Sequence, residues 1–286
     1  MAPSILEVQN YTIFQFIKKN HKNLHHYYCI VLFLLLFNCL YLKLVVDIGN
    51  SFTKLAVFSN DEIIDFQTIE KIDIEYLRLT IKKHPKISSS ILSSVALHDI
   101  QLNDFLSQNG FFIELTHTTP VPFKNKYGTP DTLGKDRIAI ASAAVQLYPK
   151  ENVLIIDTGT SITYDIVNSN KEYHGGGISP GLNMRFKALH NFTHRLPLVQ
   201  IPSAETNINL VGDSTESSIT TGVVNGVLAE VENIITQYSS VYSPLKIIIS
   251  GGDYKYFERL VKSNIFASPN IVVRGLKNIL DFNENN

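Results

Sequence analysis

The chain has 286 residues, 44% of them hydrophobic, and a formal net charge of −1. That is enough for a sizeable core and for two lobes of ordinary domain size, and it offers no basic stripe to hold nucleic acid. The two cysteines, Cys29 and Cys39, share one apolar run and the nine histidines show no ligand spacing, which excludes a disulfide framework and a zinc centre.

The first forty or so residues differ from the rest. A basic, irregular stretch runs into the aromatic-rich apolar segment Tyr27–Leu42, and His25 and His26 beside it read as solvated. The segment is shorter than the roughly 20 residues a membrane helix needs, and no small-residue cleavage site follows it as a signal peptide requires. The only methionines are Met1 and Met184. Residues 1–41 are therefore expected to be either an upstream start-site misassignment or a membrane-associated extension. No stable membrane association is expected of residues 42–286.

Beyond Lys43 strands alternate with helices. Strand patterns fall at Leu44–Ile48, Lys54–Phe58, Ile63–Gln67, Ser90–Val95 and Phe111–Leu115, with helical patterns near Asp73–Lys83 and Ile100–Gln108. The same order restarts at Val153, followed by a long helical pattern over Glu216–Gln237, an aliphatic strand over Lys246–Gly252 and a helix over Tyr254–Lys262. No low-complexity linker separates the halves. The expected organisation is α/β: one lobe over residues 42–150 and a second over 151–286, around a cleft.

Two polar turns repeat each other. In LVVDIGNSFTK, Asp47, Gly49, Ser51 and Thr53 overlay Asp157, Gly159, Ser161 and Thr163 of LIIDTGTSITYDIV. Each unit reads as strand, polar turn, strand. Small residues admit close backbone approach, N–H groups and hydroxyls donate hydrogen bonds, and Lys54 adds positive charge, which suits a phosphate cradle. A carboxylate beside such a cradle repels bare phosphate and makes sense with a cation between them.

Four further stretches carry polar chemistry. In YGTPDTLGKDR, Asp136 reads either as a helix N-cap with Arg137 solvated, or as a proton acceptor beside a guanidinium that binds an acidic substrate. HGGGISPGL (His174–Leu182) fits a strand-to-helix turn. In GDSTESSITTGV, Ser214 or Thr215 caps a helix. SGGD (Ser250–Asp253) fits a nucleotide resting on backbone.

Taken in order, DIGNSFTK, YGTPDTLGKDR, DTGTSITYD, GGGISPGL, GDSTESSITTGV and SGGD resemble the motif series of type III pantothenate kinases. These belong to the acetate kinase, sugar kinase, heat-shock-70 and actin superfamily. The resemblance runs from Leu42 to the C-terminus; Ser51 stands where the family more often has threonine, and the hydroxyl is kept. It implies two duplicated ribonuclease-H-like lobes, the actin-like ATPase fold, around a nucleotide cleft. It also implies a cytoplasmic enzyme that phosphorylates pantothenate with ATP to 4'-phosphopantothenate, the first step towards coenzyme A.

The resemblance further implies the site residues. The hairpin Asp47, Ile48, Gly49, Asn50, Ser51, Phe52, Thr53 and Lys54 wraps the ATP phosphates, with Asp47 near Mg2+, and Thr160 makes a further ATP contact. Asp136 is the proton acceptor. Tyr127, Gly134, Lys135, Asp136, Arg137 and Thr215 contact pantothenate, and Asp157 holds a monovalent cation, K+ or NH4+. Members are homodimers with the substrate pocket at the subunit interface. Other readings remain: another small-alcohol kinase, a nucleotide-binding regulator that needs both hairpins but not Tyr127, Gly134–Arg137 and Thr215 together, or a membrane-tethered binding protein resting on Tyr27–Leu42 alone.

Overall fold

A computed structural model describes residues 41–286. The expectations for the leading segment, Cys29 and Cys39 included, lie outside the described residues. Among the described residues no helix is long and apolar enough to cross a membrane.

The first lobe opens as a meander. Strands β1 (Leu42–Ile48), β2 (Thr53–Ser59) and β3 (Glu62–Ile69) pair antiparallel, and helix α1 (Ile74–Lys83) crosses over to β4 (Ile87–Ser94), which runs parallel to β1. Asp73 caps α1 by accepting the Tyr76 N–H at 2.8 Å. Helix α2 (Gln101–Gln108) then leads to β5 (Phe111–Glu114), giving the order β3-β2-β1-β4-β5. A two-residue strand β6 (Lys124–Asn125) and helix α3 (Lys135–Leu147) lead into the second lobe.

The second lobe repeats the plan. It contains β7 (Asn152–Thr158), β8 (Ser161–Val167), β9 (Glu172–Pro180), α4 (Leu182–Asn191), α5 (Thr215–Val241), β10 (Leu245–Ser250), α6 (Tyr254–Leu260), β11 (Phe266–Ala267) and α7 (Ile271–Glu284). Its sheet order is β11-β10-β7-β8-β9-β6. Read from β9 to β11 this is the first lobe's order, with β6 added at one edge. The duplication expected from the hairpin repeat is therefore present at the level of strand order.

Alternation along the strands separates three apolar clusters. Val45, Ala56, Phe58 and Ile91 of the first sheet and Val153, Ile155 and Ile248 of the second all pack on α3 and α7 in one shared core. Leu44, Val46 and Leu92 face the other way, against α1 and α2. Leu154, Ile156 and Ile249 face away on the second sheet, against α4, α5 and α6. Neighbouring residues of a strand point to opposite faces, so each central strand serves two layers.

Helix α7 matched none of the predicted elements, although Ile271, Leu276, Ile279 and Leu280 are fully buried. It lies on α3 so closely that a Cβ on Gly275 would sit 1.8 Å from the Ala139 carbonyl oxygen. The buried Lys277 ties it to Asp61 at 2.5 Å and to Asp281 at 2.7 Å. The last helix of the chain thus packs on α3 and on strands β1, β2 and β4 of the first sheet.

Candidate active site

The hairpin overlay holds in kind and shifts by one residue in register. Asp47 lies opposite Lys54 across β1 and β2, and the Gly49 N–H donates to the Phe52 carbonyl at 3.0 Å. Asp157 lies opposite Thr163, and the Gly159 N–H donates to the Ser161 carbonyl at 3.0 Å. The second turn closes one residue earlier. Cross-strand partners share a face, so the first lobe sets a lysine beside its aspartate and the second sets a hydroxyl.

The tip of the first hairpin is open: Asn50, Ser51 and Phe52 are exposed, Gly49 and Lys54 partly buried, and Ile48 and Thr53 buried. Both aspartates stand near the carboxyl ends of their strands and share a face with the residues that pack on α3. The α3 N-terminus carries Asp136 to the same place. Lys54, Asp47, Asp136 and Asp157 all lie within electrostatic reach of one another.

Burial pushes the Asp47 carboxyl up from 3.8 to about 6; Lys54 opposes the rise, the Asp136 charge adds to it, and the Ser93 hydroxyl opposes it. Burial likewise lifts Asp157 to about 6, against Lys54, with Asp136, Asp165 and Asp47 adding to the rise. Ser93 sits beside Asp47 on β4, fully buried. It escaped the sequence analysis; the polar run Ser88–Ser90 and Ser93–Ser94 in a central strand was its only signal.

Asp136 does not cap α3 in the expected way. The N-cap is Gly134, and Asp136 accepts the Arg137 N–H at 2.8 Å, satisfying one of the free donors of the first turn. A Cβ on Gly134 would lie 2.5 Å from Asp136 Oδ1, so glycine leaves the carboxylate its room. Arg137 is not solvated. It is buried, and its Nε donates to Asp165 Oδ1 at 2.8 Å. The guanidinium lies 5.5 Å from the Tyr127 ring centre, and Tyr127 covers Gly175, whose φ of +85° favours glycine. Lys135 reaches towards Glu114 at 3.9 Å.

Thr160 is exposed at the second hairpin turn, whose carbonyl accepts the Gly181 N–H at 3.0 Å, just ahead of α4. It borders a cavity of about 290 Å³ with Asn183 and Lys187. The SGGD turn is bound to the same hairpin: the Asp253 N–H donates to the Thr158 carbonyl at 2.9 Å and Thr158 Oγ1 to the Ser250 carbonyl at 2.6 Å. Thr215 stands apart. Ser214 is the cap of α5, in a capping box with Ser217, and Thr215 lines a groove of about 1380 Å³ with Met184, Leu189, Phe192 and Ile219. That groove touches none of Asp47, Asp136 and Asp157.

Among the described residues no cluster of three or more His, Cys, Asp or Glu has metal-binding geometry. A cation here would be held by single carboxylates, hydroxyls and substrate phosphates, which is how Mg2+ usually binds. Beside Asp157, the buried Thr163 hydroxyl lies across the strand pair, with the Asp165 carboxylate next to it on the same face of β8. Such oxygens suit a hard cation.

A family model described as type III pantothenate kinase matches residues 43–237. The chain belongs to the type III pantothenate kinase family. The type III pantothenate kinase of Christiangramia forsetii is 47% identical over 244 residues, 85% of this chain and 99% of the relative. Those of Phocaeicola vulgatus and Flavobacterium johnsoniae are 40% identical over 244 residues and 39% over 248, each match covering 85% of this chain and 99% of the relative. A solved structure, a putative Baf family transcriptional activator from Campylobacter jejuni, shares the fold with a TM-score of 0.56 and 22% identity, over 85% of this chain and 100% of its own. In this kinase family member the fold is thus the expected one, α/β with two lobes of the same strand order.

The raised carboxylates make a stability prediction. Because both folded-state values lie above the ordinary 3.8, the folded protein takes up protons before the unfolded chain as pH falls; the penalty is complete above about pH 6 and fades towards pH 4. In buffer free of potassium and magnesium, Asp157→Asn is expected to stabilise the chain by about 1–3 kcal/mol at pH 8 and by roughly a third as much near pH 4.5. Urea denaturation at the two pH values measures the difference.

Proposed function

We propose that these residues divide the work of transferring the γ-phosphoryl group of ATP to the hydroxyl of pantothenate, giving 4'-phosphopantothenate. The observation that carries the reading is the meeting of Asp136, Asp47 and Asp157 around Lys54 in a chain of this family. The lobes run over residues 42–150 and 151–286, with α7 returning to the first.

Phosphoryl transfer asks little covalent chemistry of the protein; it asks for an in-line alcohol, neutralised phosphate charge and a placed base. Asp136 accepts the proton of the pantothenate hydroxyl as its oxygen attacks the γ-phosphorus and the bond to the bridging oxygen of ADP breaks. Residues Asp47 to Lys54 wrap the phosphates, the open tip of Gly49 to Phe52 offering backbone N–H groups and Lys54 its charge; Thr160 borders the nucleotide. Asp47 would hold Mg2+, whose charge offsets that of the phosphates. Asp157, with the neighbouring Thr163 Oγ1, would hold K+ or NH4+. Tyr127 and Gly134 to Arg137 form the pantothenate side. The reaction belongs in the cytoplasm, where ATP and potassium are abundant.

Thr215 fits this scheme through a second copy. The groove it lines is mainly apolar and open to solvent, with Phe192 88% and Met184 39% accessible, and such a rim-exposed apolar groove is a surface a second copy can cover. We propose a homodimer in which each protomer covers this groove of the other and Thr215 borders the pantothenate bound next to it.

Three experiments test these assignments. Asp136→Asn keeps an acceptor for the Arg137 N–H, so it should fold normally while kcat falls by about 10²–10⁴; a folded variant with normal turnover would remove Asp136 as the base. With magnesium saturating and ionic strength constant, turnover should rise with potassium or ammonium and stay low in sodium, and Asp157→Ala should lose that response; full activity in sodium alone argues against the cation role. Phe192→Asp should turn a dimer into monomers by sedimentation velocity and raise the KM for pantothenate, whereas a monomeric parent rules the dimer out.

A further inference from the structure

Asp165 was in no predicted role, and it is the most deeply buried carboxylate described, at 0% exposure. It projects from β8 between Ile155 of β7 and Gly176 of β9, and Gly176 contributes no side chain to that face. Two donors converge on one of its oxygens, Arg137 Nε at 2.8 Å and the Tyr173 hydroxyl at 2.7 Å, and Arg137 Nη2 lies 2.7 Å from the same oxygen as an ion-pair contact. Burial pushes the Tyr173 hydroxyl far above its ordinary range, so it remains a donor. Burial also pushes Asp165 up, and the adjoining guanidinium opposes this.

A buried ion pair of this kind is a poor source of stability, because desolvation offsets the attraction and an apolar pair of equal volume does as well. What it does supply is direction. Arg137 occupies the first turn of α3, next to Asp136, and its own N–H is held by the Asp136 carboxylate. Fixing the guanidinium from β8 fixes that turn, and the Tyr127 ring over the guanidinium, 6.3 Å from Tyr173, closes the arrangement.

We propose that Asp165, with the Tyr173 hydroxyl, is a positioning residue for the pantothenate side of the site: it holds Arg137, and through the first turn of α3 the Asp136 carboxylate, in the geometry that receives the alcohol. The inference rests on the roles assigned above to Asp136 and Arg137. It separates the site into a half supported by the Asp165 cluster and a half supported by the β1–β2 hairpin, so damage to Asp165 should reach one substrate and spare the other.

Steady-state kinetics of Asp165→Asn and Tyr173→Phe, varying each substrate with the other saturating, test this. For Asp165→Asn, kcat/KM for pantothenate should fall on the order of tenfold to a hundredfold, as for a misplaced catalytic group, while the KM for ATP stays within about twofold. Tyr173→Phe keeps the charge pair and should fall in the same direction by roughly threefold. A purely structural role would lower the active fraction and leave both KM values alone. Parental kcat/KM for pantothenate in either folded variant, or equal losses for both substrates, overturns the proposal, and if Asp165→Asn does not fold, Tyr173→Phe decides. Asp136→Asn assayed alongside separates the two layers of inference. Normal turnover there removes the assignment of the base, whereas lost turnover there with an unaffected Asp165→Asn removes this inference alone.

Discussion

Like charges gathered out of water are the constraint on which the rest of this molecule depends. Asp47, Asp136 and Asp157 face one another with Lys54 as the nearby cation, and two of them are held near pKa 6 by burial and by each other. Left to relax, such a group would move apart or take up protons. It is kept in place because each carboxylate is mounted on a different rigid support: a strand of the first sheet, the first turn of α3, a strand of the second sheet. The repulsion is what makes the site receptive to cations and to a proton.

Helix α3 joins these supports. Its small residues Ala139, Ala141, Ala143 and Ala144 are fully buried, and they let both sheets and α7 come close without leaving room for water. Packing that tight transmits position from one end of the helix to the other. The N-terminal turn is then held at both ends, by the core behind it and by the Asp165 carboxylate beside it. A loop in the same location would have let Asp136 drift away from the opposing charges.

Much of this was legible in the sequence. Strand and helix periodicity located most elements to within a few residues, and the repeated Asp-x-Gly turn announced both the duplication and the two aspartates. Other features were not legible, for distinct reasons. The turn-length difference that pairs Asp47 with lysine and Asp157 with threonine is a matter of hydrogen-bond closure, to which an overlay of letters is blind. The Arg137–Asp165 pair joins residues 28 apart through the third dimension; the only trace was a charged residue amid the apolar alternation of TYDIV. Strand β6 spans two exposed residues and has no pattern of its own. Helix α7 did have a pattern, Ile271 to Leu280 recurring at helical spacing, with Gly275 in its middle, a residue that ordinarily weakens a helix.

The place of α7 in the chain has a consequence for how the molecule is made. Its residues fill the shared core against strands that left the ribosome roughly 180 to 230 residues earlier. Until those last turns emerge, Val45, Phe58 and Ile91 of the first sheet lack a covering layer, so the nascent amino-terminal lobe waits with its inner face incomplete. Synthesis therefore finishes the lobe that began first only at the end, and the first sheet and α3 are locked together in the same closing event.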